Sequence, residues 1–189
     1  DRLAELGLQD NTLVIYISDN GGQLERGGGG SNEPLKEGKF TLWEGGIRVP
    51  AIVRWPGEIP EDIQVNAAVT AMDMTRLMLE AGGVGDPQGA AGPFDGKNPL
   101  PVLSMQTDSL HDYLAFRFRD MAVIRDHRYK LVGSNQSGRI GGRLKLYDLW
   151  EDISESHDIA GENPDKVNEL EDIFNNQWRT AINNDTVFQ

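Results

Sequence analysis

Thr12 to Ser18 reads TLVIYIS, a continuous apolar and β-branched run that stops abruptly at Asp19-Asn20-Gly21-Gly22. A run without polar alternation suits a strand covered on both faces, as in the parallel sheet of an α/β fold. It asks for partner strands on both edges and for layers above and below. The other segments supply few of either, so the chain by itself is expected to expose strand edges and apolar surface and to self-associate. Ile47 to Trp55, IRVPAIVRW, resumes strand character, and Pro50 inside it marks an edge, a bulge or a break.

Helical spacing is seen in three places. Leu3 and Leu6, with Gly7 as a stop, read as the tail of a helix. Asp73 is placed to cap a helix whose apolar face is Met74, Leu77, Met78 and Ala81, ending at Gly82-Gly83. Asn163-Pro164 opens a last helix with Asn as cap, Pro at the first helical position, and Val167, Leu170, Phe174 and Trp178 on one face. Gly85 to Pro101, rich in Gly and Pro, reads as a surface connection.

From Asp112 the period changes to two. Leu114, Phe116 and Phe118 alternate with Ala115, Arg117 and Arg119, which predicts a strand with one wet face. MAVIR, RYKLVG and RLKLYDL follow at short spacing, with Asp126-His127 as a hairpin turn. The last third is therefore a small antiparallel sheet on which the terminal helix packs. The expected division is residues 1–110, an α/β part, and residues 111–189, the antiparallel sheet with its helix.

Composition narrows the function. A net charge of −12 excludes a general nucleic-acid binder, which needs a basic face. An anionic ligand would require a local cluster of cations or a metal. No stretch approaches the roughly 18 apolar residues of a membrane-crossing helix. The absence of Cys removes disulfides, thiolate nucleophiles and Cys-based zinc sites. The chain opens on Asp1 rather than Met, which reads as the middle of something longer.

The long segment Asn20 to Gly46 has little periodicity, and loops of that length tend to be functional or disordered. Its middle, ERGGGGSNEP, has the composition of a linker; its ends carry the chemistry. Asp19 and Asn20 leave the carboxyl end of a strand, where ligand sites of open α/β sheets collect. Their hard oxygens suit Ca²⁺ or Mg²⁺, with Gly21 and Gly22 letting the backbone approach a ligand, although Asp-Asn-Gly-Gly by itself is most often a plain turn. Lys39 offers either a point charge for an anion or an ordinary solvated ammonium. Glu44 and Arg48 read as an ion pair holding the loop end. His111, His127 and His157 show no ligand spacing and are expected in turns or on the surface.

Taken together, SDNGG after a strand, the long loop, GKFTLWEGGIRVPAIVRWPG, the helix DMTRLMLEAGG, LPVL, MAVIRDHRYKLV and KLYDLWEDISESHDIAGENP resemble the sulfatase family of the alkaline-phosphatase superfamily, in order and spacing over essentially the whole chain. The resemblance implies an α/β fold: the C-terminal portion of a sulfatase-type mixed-sheet domain, then a small antiparallel sheet with a C-terminal helix. It maps the family's calcium-binding Asp-Asn pair onto Asp19 and Asn20. The family's sulfate-contacting Lys, in its Gly-Lys-x-Thr-x-x-Glu-Gly-Gly segment, maps onto Lys39 as a catalytic residue. Phe40 stands where the family frequently has Gly.

The resemblance also defines a deficit. The family's formylglycine nucleophile, formed from Cys or Ser in an N-terminal segment, is absent, as are its N-terminal Asp-Asp metal ligands and its middle-region His and Lys. The implied activity is hydrolysis of a sulfate ester, a sulfated glycan or an aryl sulfate, with Ca²⁺ as cofactor and the missing N-terminal sulfatase portion as partner. Periplasmic, secreted or lysosomal location follows from the family. Two alternatives are a noncatalytic remnant acting as a glycan-binding or interaction module, and a phosphate or phosphonate ester hydrolase of the same superfamily.

Overall fold

The structure, a computed structural model, describes residues 2–24, 30–84 and 95–178. Its elements are α1 (Arg2–Glu5), a 3₁₀ turn (Gln9–Asn11), β1 (Val14–Ile17), α2 (Glu44–Ile47), β2 (Ala51–Arg54), α3 (Ala71–Ala81) and α4 (Leu100–Leu103). Then come β3 (Leu114–Phe118), β4 (Met121–Arg125), β5 (Tyr129–Gln136), β6 (Arg139–Asp148) and α5 (Pro164–Asp172), which continues as a π-helical segment over Ile173–Trp178. The chain divides into two units, one of Asp1–Asp19 with Pro50–His111 and one of Asn20–Val49 with Asp112–Gln189. Thus the long loop belongs to the same unit as the antiparallel sheet.

In the first unit α1 is the expected helix tail, and Gly7 ends it at φ +67°. TLVIYIS forms β1, but its pairing departs from the expected parallel arrangement. It runs antiparallel to β2, with Ile15 opposite Val53 and Tyr16 opposite Ile52. Among the described residues only one face is covered: Ile15, Ile17 and Val53 pack on Met74, Leu77, Val102 and Leu103. On the other face Val14, Tyr16 and Ile52 are 39%, 63% and 64% exposed. The reason is one of supply, since α3 and α4 can cover a single side of a two-stranded ribbon. Pro50 falls immediately before β2, where its missing N–H costs no ladder bond.

Helix α3 begins three residues earlier than Asp73 would set it. Thr70 is the cap residue, and Asp73 is the third residue of the helix in a capping box. Met74 and Leu77 face inward, whereas Met78 is 53% exposed and Ala81 is exposed as well. Most of the anticipated surface connection, residues 85–94, lies outside the described residues; in its described end Asp95 and Lys97 are exposed, whereas Gly96 and Pro99 are buried.

The second unit holds the four-stranded antiparallel sheet in the order β3-β4-β5-β6. Asp126 closes the expected β4–β5 turn by accepting the amides of Arg128 and Tyr129 at 2.7 and 2.6 Å. Both faces of this sheet are covered over its middle, while Ser134, Gln136, Arg139 and Arg143 at the β5–β6 end are exposed. Ala122, Ile124, Leu131, Ile140 and Leu146 point to one side, where Leu170 of α5 and Phe174 cover them. Val123, Val132 and Tyr147 point to the other, with Phe116 and Phe118, and there Leu42, Trp43 and Leu149 cover them. The predicted wet face of β3 is the one that carries Ala115, which packs into the first of these clusters beneath Leu170 and Phe174, so the terminal helix covers it; the long loop covers the opposite, Phe116 and Phe118, face. At α5, Pro164 takes the first helical position as expected. The Asn163 side chain makes no cap bond and instead donates to the Ile159 carbonyl at 3.1 Å. The side chain of Trp178 and residues 179–189 lie outside the described residues.

Candidate active site

Asp19 follows the end of β1 and is exposed; Asn20, the first residue of the second unit, is half-buried. The backbone just beyond it is clamped to the rest of the loop. The Gly21 amide donates to the Gly46 carbonyl at 3.0 Å, and the Lys39 amide donates to the Gly22 carbonyl at 3.1 Å. Asn32 strengthens the clamp, accepting from the Gly22 amide and donating to the carbonyls of Gly22 and Glu37. Gly21 is required here by backbone-on-backbone packing: a Cβ at that position would lie 1.7 Å from the Gly45 carbonyl oxygen. That is a different reason from the ligand approach expected of it. Residues 25–29, the linker-like middle, lie outside the described residues.

Lys39 is half-buried on this pinned backbone, and among the described residues its ammonium has no carboxylate partner. Its Nζ stands 5.3 Å from the centre of the Phe40 ring. Phe40 has φ +72° and is 55% exposed. Left-handed backbone costs a side-chain-bearing residue about 1–2 kcal/mol, a cost that glycine would not carry.

The loop end is anchored by a buried charge cluster. Arg125 and Lys130 are direct cross-strand partners on β4 and β5, a like-charge pairing that is unfavourable without compensation. The buried Glu44 carboxylate supplies it: Oε1 accepts from Lys130 Nζ at 3.0 Å and Oε2 from Arg125 at 3.1 Å. Glu155 completes the set, with Oε1 2.8 Å from Lys130 Nζ and Oε2 accepting the Glu44 amide at 2.7 Å. Lys36 donates to the Glu155 carbonyl at 3.0 Å and lies 3.7 Å from the centre of the Trp43 ring. Arg48 sits 3.9 Å from Glu44, so the anticipated pair is structural but peripheral. Burial, the largest influence on Glu44, would raise its pKa, yet Lys130, Arg125 and Arg48 together hold it low. Burial pushes the Glu155 carboxyl up, with Lys130 opposing.

Sequence reasoning missed Lys130, Arg125 and Glu155. The signal was present in the period of two: Lys130 shares a face with Val132, and Arg125 shares one with Val123. It also missed His111, which lies 2.9 Å from the fully buried Asp73 carboxylate. The exposed positions expected of His127 and His157 are observed.

For calcium, the oxygens of Asp19 and Asn20 are of the right kind but too few, since Ca²⁺ takes six to eight. Among the described residues no group of three or more His, Asp or Glu side chains is arranged to hold a metal ion. Among the same residues no helix is long and apolar enough to cross a membrane.

Strand-loop-strand segment, clamped glycines and the backing sheet are the parts of a sulfatase-type fold. Residues 1–84 match the Sulfatase family model, and the chain belongs to the sulfatase family. It is 31% identical over 170 residues to a sulfatase of Formosa agariphila, covering 84% of this chain and 30% of that protein. With the steryl-sulfatase of Rattus norvegicus it shares 38% identity over 119 residues, 59% of this chain and 20% of the relative. The solved structure of Ps i-CgsB in complex with k-i-k-neocarrahexaose superposes with a TM-score of 0.73 at 29% identity, covering 89% of this chain and 36% of that one. The chain thus spans less than a third of the length of these two curated relatives.

Proposed function

We propose that this chain contributes to the hydrolysis of sulfate esters on a sulfated glycan, with Lys39 as the residue that meets the sulfate. The observation that supports this most is the state of Lys39. It is a cation without a carboxylate partner among the described residues, held on backbone pinned at Gly22, in a protein of net charge −12. Cleavage of a sulfate ester builds negative charge on the bridging oxygen as the S–O bond breaks. An ammonium fixed beside that oxygen neutralises the charge and can deliver a proton to the leaving alcohol. Its anchoring means that little reorganisation is needed as charge develops.

Asp19 and Asn20 are assigned as two oxygen donors to Ca²⁺, whose chemistry when bound is to withdraw charge from the sulfuryl oxygens. No residue of this chain takes the nucleophile's part: it has no Cys, and no segment of the formylglycine type. Choice of a glycan substrate is supported by the oligosaccharide bound in Ps i-CgsB. The test is an assay on a small aryl sulfate in a polypeptide that also carries the family's nucleophile segment. Lys39→Ala and Asp19→Ala should each lower kcat/KM by about a hundredfold or more. Full activity in both variants refutes the assignment.

A further inference from the structure

Phe40 combines three properties that folding alone does not favour. It is a large apolar side chain, it is mostly exposed, and it occupies left-handed backbone at φ +72°. Strained residues held in place by their surroundings mark functional positions more often than packing ones. The surroundings here do hold it. The Thr41 amide donates to the Gly38 carbonyl at 3.2 Å, and the Thr41 hydroxyl donates to the same oxygen at 2.8 Å. Phe40 is therefore presented to solvent by a fixed turn.

A second residue repeats the pattern. Arg119 lies in the two-residue turn between β3 and β4, is exposed, and has φ +53°. Its backbone is pinned too: the Asn135 side chain donates to the Arg119 carbonyl at 2.9 Å, and the Asn135 amide to the Asp120 carbonyl at 2.7 Å. The guanidinium carbon lies 5.8 Å from the Phe40 ring centre and 5.0 Å from that of Phe118. No carboxylate among the described residues pairs with it. Phe40 is thus flanked by two cations, Lys39 and Arg119, that lack carboxylate partners among the described residues of a strongly acidic protein.

We propose that Phe40 and Arg119 form a saccharide subsite adjoining Lys39. The phenyl ring is a platform for the apolar face of a sugar, and the guanidinium binds a second anionic substituent, a sulfate or carboxylate, elsewhere on the same glycan. The inference rests on the reading of Lys39 as the contact for the scissile sulfate. It deepens that reading by assigning specificity for glycans with more than one negative group. Arginine suits the part because its planar fork meets an oxyanion with two hydrogen bonds. An exposed ring with a cation on either side suits the alternation of apolar sugar faces with charged substituents.

The test measures binding of k-i-k-neocarrahexaose to the 189-residue chain by calorimetry at low salt, with a neutral hexasaccharide as the control. Arg119→Gln is expected to weaken binding about tenfold, the loss of one charge-assisted contact. Phe40→Gly is expected to weaken it severalfold while leaving the fold as stable or more so, because glycine relieves the left-handed backbone. That variant separates loss of the platform from loss of structure. Arg119→Lys should restore part of the affinity, and the neutral sugar should bind no variant measurably. Weakening by Lys39→Ala but by neither Arg119→Gln nor Phe40→Gly overturns the subsite and leaves the Lys39 reading intact. Weakening by the latter two but not by Lys39→Ala supports the subsite and counts against the Lys39 reading. Absence of binding by the unsubstituted chain, or equal binding of the neutral sugar, overturns the subsite.

Discussion

Replacing Lys130 with Met tests whether the buried charges hold the Lys39 loop on the sheet. Met matches the length of the lysine stem but carries no charge. Lys130 is fully buried between Glu44 at 3.0 Å and Glu155 at 2.8 Å. Its loss leaves Glu155 without a cation at ion-pair distance among the described residues and Glu44 with Arg125 at 3.1 Å and Arg48 at 3.9 Å. Breaking a buried pair in this way costs about 3–5 kcal/mol, mainly for the charge left behind. With a urea m-value of about 2 kcal/mol per M, the midpoint should fall by roughly 1.5–2.5 M. Trp43 fluorescence is a suitable probe, because that ring packs on Tyr147 beside the cluster.

The pH dependence has a definite sign. Without Lys130 both carboxyls shift upward relative to the intact protein, and Glu155 is already above its ordinary value of 4.5. A carboxyl raised in the folded state contributes stability below its unfolded pKa and loses it as pH rises through the folded one. The deficit of Lys130→Met should therefore be largest near neutrality and shrink as pH falls toward 4.5. Adding Glu155→Gln should recover part of it at neutral pH. A loss below about 1 kcal/mol, or a deficit that grows on acidification, refutes the reasoning.

Three other outcomes are expected. Asp73→Asn should cost about 2 kcal/mol by chemical denaturation, since its buried carboxylate accepts from the Thr70 amide and hydroxyl, the Lys97 amide and His111. Gly46→Ala would place a Cβ 2.3 Å from the Thr41 carbonyl oxygen, so it should displace the 38–46 turn and speed hydrogen exchange of the Gly21 and Ile47 amides. Tyr147, raised to about 12 chiefly by burial, should ionise late in a phenolate absorbance titration, and Tyr147→Phe should remove that late step. Folding stability should accordingly fall as pH rises above 10 through that value.

Much of the second unit was legible because its signals are local. Alternation predicts β3, short-spaced strand-like runs predict β4 to β6, Asp126-His127 predicts the β4–β5 turn, and Asn-Pro predicts the start of α5. The ends of the long loop were legible only as residue types at a given spacing. Nothing local distinguishes an Asp-Asn pair at a site from one in a turn, or a lysine awaiting an anion from one in water. The alternation in β3 correctly separates two sets of side chains but does not say what covers each. Its wet face, the Ala115 side, was misread because the cover, Leu170 and Phe174, lies more than 50 residues away in the sequence.

The sequence by itself determined most of the strands and the two longer helices, the local acidic or basic character, and the two chemistry-bearing ends of the loop; the short helices α2 and α4 were not legible in it. Tertiary structure alone decided that TLVIYIS pairs antiparallel with one face open, because pairing and cover depend on which elements are present to supply them. It also decided that Glu44 serves two strand cations rather than its helical neighbour Arg48. A carboxylate removed from water takes the partners that burial brings to it, and those lie more than 80 residues away.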